Sequence, residues 1–158
     1  MRSPRRIAPL LLVVLAVAAA PTASPAPTSL QGEANGLLAA VNAVRARHGL
    51  RPLRGDRRLA RASRAHALDL LARNVFEHGD VFRRLRGSGA PGPAFGENLA
   101  MGPSSYGPRE IVRMWMASPP HRRNLLRPGW RRVGIGLAVG PFSGMANVEI
   151  VAAAFAGR

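Results

Sequence analysis

Apolar residues recur at helical spacing in two segments of the first half of the chain. The first predicted helix spans residues 29–48, where Ser29 can cap the start and Gly49 is a natural stop. Its apolar positions, three and four residues apart, are Leu37, Leu38, Val41 and Val44. A second helix is predicted from Asp56 to about Asn74, with an apolar stripe formed by Leu59, Ala62, His66 and Leu70.

The second half of the chain combines one further helix with alternating strand patterns. Residues 79–95 are rich in Gly and Pro and are predicted to form a loop, and a third helix begins at Pro108 and ends at Pro119 and Pro120. Residues 133–139 and 147–155 are predicted strands, joined by a turn at residues 140–144. This order favours an α+β fold, with helices packed on a small antiparallel sheet.

The N-terminal segment has the pattern of an export signal. Arg2, Arg5 and Arg6 precede an apolar run over residues 7–20, which is shorter than the roughly 20 residues of a membrane span. We assign residues 1–23 to a signal peptide and 24–34 to a linker, with cleavage expected after Ala19 or Ala23. The alternative is an uncleaved N-terminal anchor. The mature chain is therefore expected to be secreted, periplasmic or in the cell envelope, without a transmembrane span.

Composition excludes several classes of chemistry. The 158 residues include 23 basic residues, all of them Arg, against 8 acidic ones, for a net charge of +15. The absence of Lys excludes a Walker A loop and Schiff-base catalysis. The absence of Cys excludes a thiol nucleophile, disulfides, Cys-ligated zinc and a lipidated N-terminal cysteine.

The positive charge has two explanations. An all-Arg chain rich in Ala, Gly and Pro is what a GC-rich coding sequence would give, and we favour this explanation over dedicated polyanion binding. Aromatic residues make up only 5% of the chain and do not alternate with Arg as a base-stacking surface requires. Nucleic acid is therefore not the expected partner.

Three residues are the main candidates for chemistry. His78 lies just before the Gly-rich segment, Glu97 lies just after it, and His121 lies in the break that ends the third helix. Two imidazoles and a carboxylate could hold one divalent metal with a water in the remaining position, although their spacing alone does not define a site. His66, in contrast, lies in the apolar stripe of the second helix and is interpreted as a core residue.

Several motifs in order along the chain resemble the CAP superfamily. This superfamily, also called SCP domains, comprises cysteine-rich secretory proteins, antigen 5 and pathogenesis-related 1 proteins. The resemblance is closest to the short bacterial branch and covers residues 35–156. The motifs are Asn42-x-x-Arg45, Gly49-Leu50-x-Pro52-Leu53, Asn74-x-Phe76-x-His78, Gly96-Glu97-Asn98-Leu99-Ala100-x-Gly102, Trp115-Met116-x-Ser118-Pro119-x-His121-Arg122-x-Asn124-Leu125-Leu126 and Val133-Gly134-Ile135-Gly136.

The resemblance implies a three-layer α-β-α sandwich with a surface cleft. His78, Glu97 and His121 match three of the family's four cleft residues, with the histidines as divalent-metal ligands, zinc being the expected metal. The fourth cleft residue in animal members is a Glu after the tryptophan of the third helix. Ser118 is nearest to that position here, and the missing carboxylate places two-carboxylate acid/base chemistry in doubt. Asn98, Ser118 and Arg122 are the expected ligand-binding residues of the cleft.

Three functions remain open from the sequence. The first is an extracellular or envelope binding module for a lipid or a cell-wall component, with a divalent-metal cleft. The alternative is a metal-assisted hydrolase of envelope peptide or glycan, in which Glu97 activates a metal-bound water. The third is a polyanion binder. Its candidate residues are Arg122, Arg123, Arg127, Arg131 and Arg132. We favour the interpretation that these arginines form a solvent-exposed face without a dedicated ligand.

Overall fold

The computed structural model describes residues 29–158, so the predicted signal peptide and residues 24–28 of the predicted linker lie outside the described residues. The first helix, α1 (Leu30–Arg47), begins where the sequence predicts, because the Ser29 hydroxyl accepts a hydrogen bond from the backbone N–H of Gly32 at 3.1 Å. Residues 30–34, which the sequence assigns to the linker, form the first turn of α1.

The second predicted helix is confirmed as α2 (Arg57–Arg73). The carboxylate of Asp56 accepts hydrogen bonds from the backbone N–H groups of Arg58 and Leu59, and this cap defines the helix start. Asn74 ends α2 in the left-handed conformation with φ of 53°, which Asn adopts more readily than most residues.

The predicted loop over residues 79–95 is wrong in two places. Residues Val81–Gly87 form a short helix, α3, whose start is capped by the Asp80 carboxylate accepting from the backbone N–H of Arg83. The helix forms because Leu85 is fully buried against Leu59 of α2. Tertiary burial therefore overrides the Gly-rich composition of this segment. The last two residues of the predicted loop, 94 and 95, belong to a strand.

The third predicted helix is confirmed as α4 (Pro108–Ala117), but the chain does not remain irregular after it. A further short helix, α5 (Pro119–Leu125), follows directly, so that His121 lies inside a helix rather than in a break. Pro119 and Pro120 occupy the first turn of α5, where a missing backbone N–H removes no intrahelical hydrogen bond.

One four-stranded sheet forms the middle layer. Its strands are β1 (Arg54–Gly55), β2 (Ala94–Pro103), β3 (Trp130–Phe142) and β4 (Met145–Gly157). Their order is β1-β3-β4-β2, so β1 and β2 lie at opposite edges. Both predicted strands are confirmed as parts of β3 and β4, whereas β2 was not predicted. The pairing is antiparallel except for the two-residue β1, which runs parallel to β3.

The helices cover both faces of this sheet, which confirms the α+β class and the three-layer α-β-α arrangement. On one face, α1, α4 and α5 bury apolar side chains against odd-numbered positions of β3 and β4, with Trp115 and Phe155 among the largest. On the other face, α2 and α3 pack on the even-numbered alanines of β4. Within residues 29–158 we find no helix with the length and apolar character needed to cross a membrane.

The glycines of the Val-Gly-Ile-Gly motif allow α2 to contact the sheet directly. A Cβ atom at Gly134 would overlap the backbone nitrogen of Ala60, and one at Gly136 would overlap the backbone nitrogen of Arg64. This close approach of helix and strand backbones explains both glycines as packing residues. The hydroxyl of Ser63 adds a hydrogen bond to the carbonyl of Gly134 at 3.0 Å.

Candidate functional site

Glu97 lies in the middle of β2, directly opposite Ala154 of β4, rather than in a loop. It shares the face of the sheet that α2 and α3 cover, and its side chain has no exposed surface. A buried carboxylate requires compensating donors, because transferring an unpaired charge out of water costs several kcal/mol. The residues that supply these donors define the candidate site.

Both oxygens of the Glu97 carboxylate are engaged. His78 Nδ1 donates to Oε1 over 2.9 Å, and Arg84 Nη2 donates to Oε2 over 2.5 Å. Because a carboxylate only accepts, His78 carries a proton on Nδ1, and in the neutral ring the lone pair of Nε2 is free. The His78 side chain is about half exposed, at 49%, so the free nitrogen lies at the protein surface.

Arg84 joins the short helix α3 to this site. Besides its ion pair with Glu97, it donates from Nη1 to the backbone carbonyl of His78 over 2.9 Å. Arg84 therefore contacts the carboxylate and the main chain of the histidine at once, and its side chain is only 21% exposed. The sequence carried no signal for this role, because Arg84 lies in a segment whose composition predicts a loop.

His66 is buried, as the sequence predicts, but it also belongs to the site. Its Nε2 lies 3.7 Å from Glu97 Oε1 and has no hydrogen-bond partner of its own. Burial lowers the pKa of His66, and the negative charge of Glu97 only partly opposes this shift. The side chain is thus neutral near pH 7 and covers the inner side of the carboxylate.

His121 approaches from the other face of β2. The amide of Asn98 donates to the backbone carbonyl of His121 over 3.1 Å, and Asn124 donates to Asn98 Oδ1 over 3.0 Å. Asn124 also donates to the backbone carbonyl of Glu97 over 2.9 Å. These hydrogen bonds hold α5 against β2. Asn98 is fully buried, so it positions α5 and has no surface to offer a ligand.

His121, the second candidate metal ligand, is partly buried and is affected by the charge of His78. Burial lowers the pKa of His121, and the nearby charge of His78 lowers it further. His121 is therefore neutral at physiological pH, the form in which imidazole binds a metal. Within residues 29–158, no three side chains of His, Asp or Glu meet in an arrangement that could hold a metal ion.

The remaining predicted cleft residues lie at the start of α5. Ser118 ends α4 and precedes α5 without a side-chain capping bond, and Arg122 is exposed on α5. Neither side chain hydrogen-bonds to Glu97 or His78. Glu110, the acid nearest to Trp115 in the sequence, pairs instead with Arg113 over 3.3 Å on the exposed side of α4. The candidate site thus contains one carboxylate.

The three-layer α-β-α sandwich, with the Glu97–His78 pair on its edge strand β2, is that of an SCP-type domain. The cysteine-rich secretory protein (CAP) family matches residues 38–151, and the chain belongs to this family. Since this member contains no cysteine, its fold does not depend on disulfides.

Two relatives come from Bacillus subtilis (strain 168). The uncharacterized protein YkwD is 33% identical over 120 residues, covering 73% of this chain and 46% of YkwD. The uncharacterized membrane protein YlbC is 29% identical over 110 residues, covering 64% of this chain and 30% of YlbC. The chain thus spans less than half the length of either relative.

Solved structures share the fold at low sequence identity. An extracellular protein containing an SCP domain from Bacillus anthracis str. Ames matches with a TM-score of 0.65 at 22% identity, covering 87% of this chain and 45% of that one. An outer surface protein from Borrelia burgdorferi matches with a TM-score of 0.67 at 17% identity, covering 82% of this chain and 96% of that one.

Proposed function

We propose that this protein is a binding module that acts outside the cytoplasm and holds a divalent cation, with zinc the best fit, between His78 and His121. The export pattern of residues 1–23 supports the location, as do relatives described as extracellular or as outer surface proteins. A lipid or a cell-wall component is the class of ligand that such a location offers.

The engagement of Glu97 carries this proposal. A metal-assisted hydrolase needs a carboxylate with an oxygen free to take a proton from the attacking water. Here Oε1 accepts from His78 and Oε2 accepts from Arg84, and the side chain is fully buried. Glu97 is therefore suited to orient His78, as the carboxylate partners of metal-binding histidines generally do. A bound cation would supply a Lewis-acidic contact for an oxygen atom of the ligand.

The donor set fits a borderline metal such as zinc. The free Nε2 of His78 and the neutral ring of His121 are the nitrogen ligands that zinc prefers. The positive charge of Arg84 balances the negative charge of Glu97. This pair would therefore contribute no net charge to the proposed metal site. The two histidines would bind the metal, while Glu97 and Arg84 would hold the first histidine in place.

Calorimetric titration of the purified protein with zinc tests the proposal. We expect saturable one-to-one binding that is lost in the double variant His78→Ala/His121→Ala. His48→Ala is the matched control, because His48 lies at the far end of α1 and bonds only the backbone carbonyl of Val44. The control should bind like the wild type.

The variant Glu97→Gln separates binding from hydrolysis. Loss of the orienting carboxylate should weaken zinc binding by roughly 10- to 100-fold. Zinc-dependent release of fragments from purified cell wall that disappears in Glu97→Gln, even at zinc concentrations that saturate the variant, would instead establish the hydrolase. Absence of zinc binding, or binding unchanged in the double histidine variant, would reject the metal site.

A further inference from the structure

A second depression lies at the opposite edge of the sheet from Glu97. It has a volume of about 840 Å³ and runs between α1 and α2, beside the short strand β1. Leu38 of α1 and Ile135 of β3 contribute apolar surface to it. The volume lies within the range of sites that bind small molecules or peptide segments, so we call this feature the β3-edge groove.

The floor of the β3-edge groove contains an unpaired stretch of strand. Strand β1 pairs with β3 only at Arg132 and Val133, after which the chain leaves the sheet to form α2. No strand described in residues 29–158 pairs with β3 beyond this point on that side. An open strand edge offers backbone donors and acceptors to another extended chain.

Hydrogen bonds on either side show which peptide groups face the groove. The backbone N–H of Asp56 donates to the carbonyl of Val133 over 2.9 Å, and Arg64 Nη1 donates to the carbonyl of Leu137 over 3.4 Å. Alternate residues of a strand direct their N–H and C=O groups to the same edge. The peptide groups of Ile135, between these two residues, therefore face the groove.

The rim of the groove is positively charged. Arg57 and Arg61 are exposed on α2, line the groove and form no ion pair with the acids of residues 29–158. Asp56, the acid in the lining, is already engaged, because it caps α2 and pairs with Arg132 over 3.4 Å. The rim therefore favours an anionic occupant.

We propose that the β3-edge groove binds an acidic peptide segment in extended conformation, which adds to β3 as a strand in line with β1. The peptide groups of Ile135 have no strand partner on this side of β3 and are complementary to another backbone. Alternate side chains of the segment would reach the apolar surface of Leu38 and the arginines of α2. This site is separate from the proposed metal site and goes beyond the proposed function.

Other occupants match these features less well. A second copy of this chain would bring the same arginines against Arg57 and Arg61. Residues 1–28 contain three arginines and no acidic residue, so charge does not favour the chain's own N-terminal segment either. An anionic lipid or glycan satisfies the arginines but does not offer the regular backbone donors and acceptors of a strand.

Fluorescence anisotropy with a labelled peptide of sequence Glu-Val-Glu-Val-Glu-Val tests the proposal. We expect saturable binding that weakens by about tenfold in Arg57→Gln/Arg61→Gln. The matched control is Arg83→Gln/Arg109→Gln, which removes the same charge from exposed residues of α3 and α4 and should leave the affinity unchanged. His78→Ala/His121→Ala should also bind the peptide normally, which keeps this test independent of zinc binding.

Backbone recognition is tested with the same peptide methylated on alternate backbone nitrogens. We expect this peptide to bind at least about tenfold more weakly, and the amide resonance of Ile135 to shift on adding the unmodified peptide. Equal binding of the methylated peptide would reject strand addition. Equal weakening of peptide binding in the two double arginine variants would show that net charge alone attracts the peptide, and it would overturn the proposal. Binding of the protein to phosphatidylglycerol vesicles but not to the peptide would overturn it as well.

Discussion

Arg84 donates from Nη2 to Oε2 of Glu97 over 2.5 Å, which joins the short helix α3 to the edge strand β2. The carboxylate is fully buried, whereas the arginine keeps about a fifth of its side chain exposed. Arg84 lies on the short helix α3, in a Gly- and Pro-rich stretch. Its positive charge thus compensates the desolvation of the buried Glu97 carboxylate. The integrity of the site depends on this segment.

We expect Arg84→Gln to lower the free energy of unfolding by about 2 kcal/mol, because it leaves Glu97 buried without its cation. The effect should be smaller than for a fully buried pair, since water reaches part of Arg84. Urea denaturation measures the difference, and Arg83→Gln is the control, because the Arg83 side chain is exposed on the same helix. Equal stability of the two variants would contradict the importance of the ion pair.

Acid should destabilise the fold through the buried His66 and the partly buried His121. Burial lowers the pKa of both His66 and His121, so the unfolded chain binds more protons than the folded one once the pH falls below about 6.5. Stability is therefore complete above this pH and declines below it. Melting temperatures between pH 5 and pH 8 measure the slope. We expect a shallower slope in His66→Gln, and an unchanged slope would contradict the assignment.

Alkali should act through a different buried group. Burial raises the pKa of Glu149 to about 8, and the charge of Glu33 and a hydrogen bond with it contribute in the same direction. The folded state thus binds more protons than the unfolded state between the ordinary Glu pKa of about 4.3 and pH 8, so its stability declines as the pH rises.

The variant Glu149→Gln removes this titration. We expect little change relative to the wild type at pH 5, and a gain of roughly 1–3 kcal/mol in the variant at pH 9. Urea denaturation at both pH values measures the difference. Glu110→Gln is a control, because this exposed carboxylate pairs only with Arg113 on the surface of α4. A gain of equal size at both pH values would contradict the proposed titration.

Gly136→Ala should destabilise the protein by at least about 2 kcal/mol, since the new Cβ would overlap the backbone of Arg64 and force α2 away from β3. Gly87→Ala is the matched control, because no atom lies within 4 Å of the corresponding Cβ position. The control should be neutral or slightly stabilising. Thermal unfolding followed by circular dichroism separates the two, and similar melting temperatures would contradict direct helix–strand contact.

Local patterns in the sequence were sufficient to identify α1, α2, α4 and the hairpin of β3 and β4. Capping residues such as Ser29 and Asp56 act within one turn of the chain, so their effect can be recognised without tertiary structure. Strand β2 was missed because its glycines and polar residues conceal the alternating pattern. Its pairing with β4 alone establishes it as a strand.

The candidate site shows the same division. The motifs around His78, Glu97 and His121 pointed to these residues, because a family resemblance depends on short ordered segments. The roles of His66 and Arg84 could not be predicted from the sequence, since both are defined by contacts with Glu97 across 31 and 13 positions of the chain. The sequence by itself determined where helices begin and which residue types are available for chemistry. The tertiary structure decided that neither oxygen of Glu97 remains free, because burial and the placement of charged partners depend on how the layers pack together.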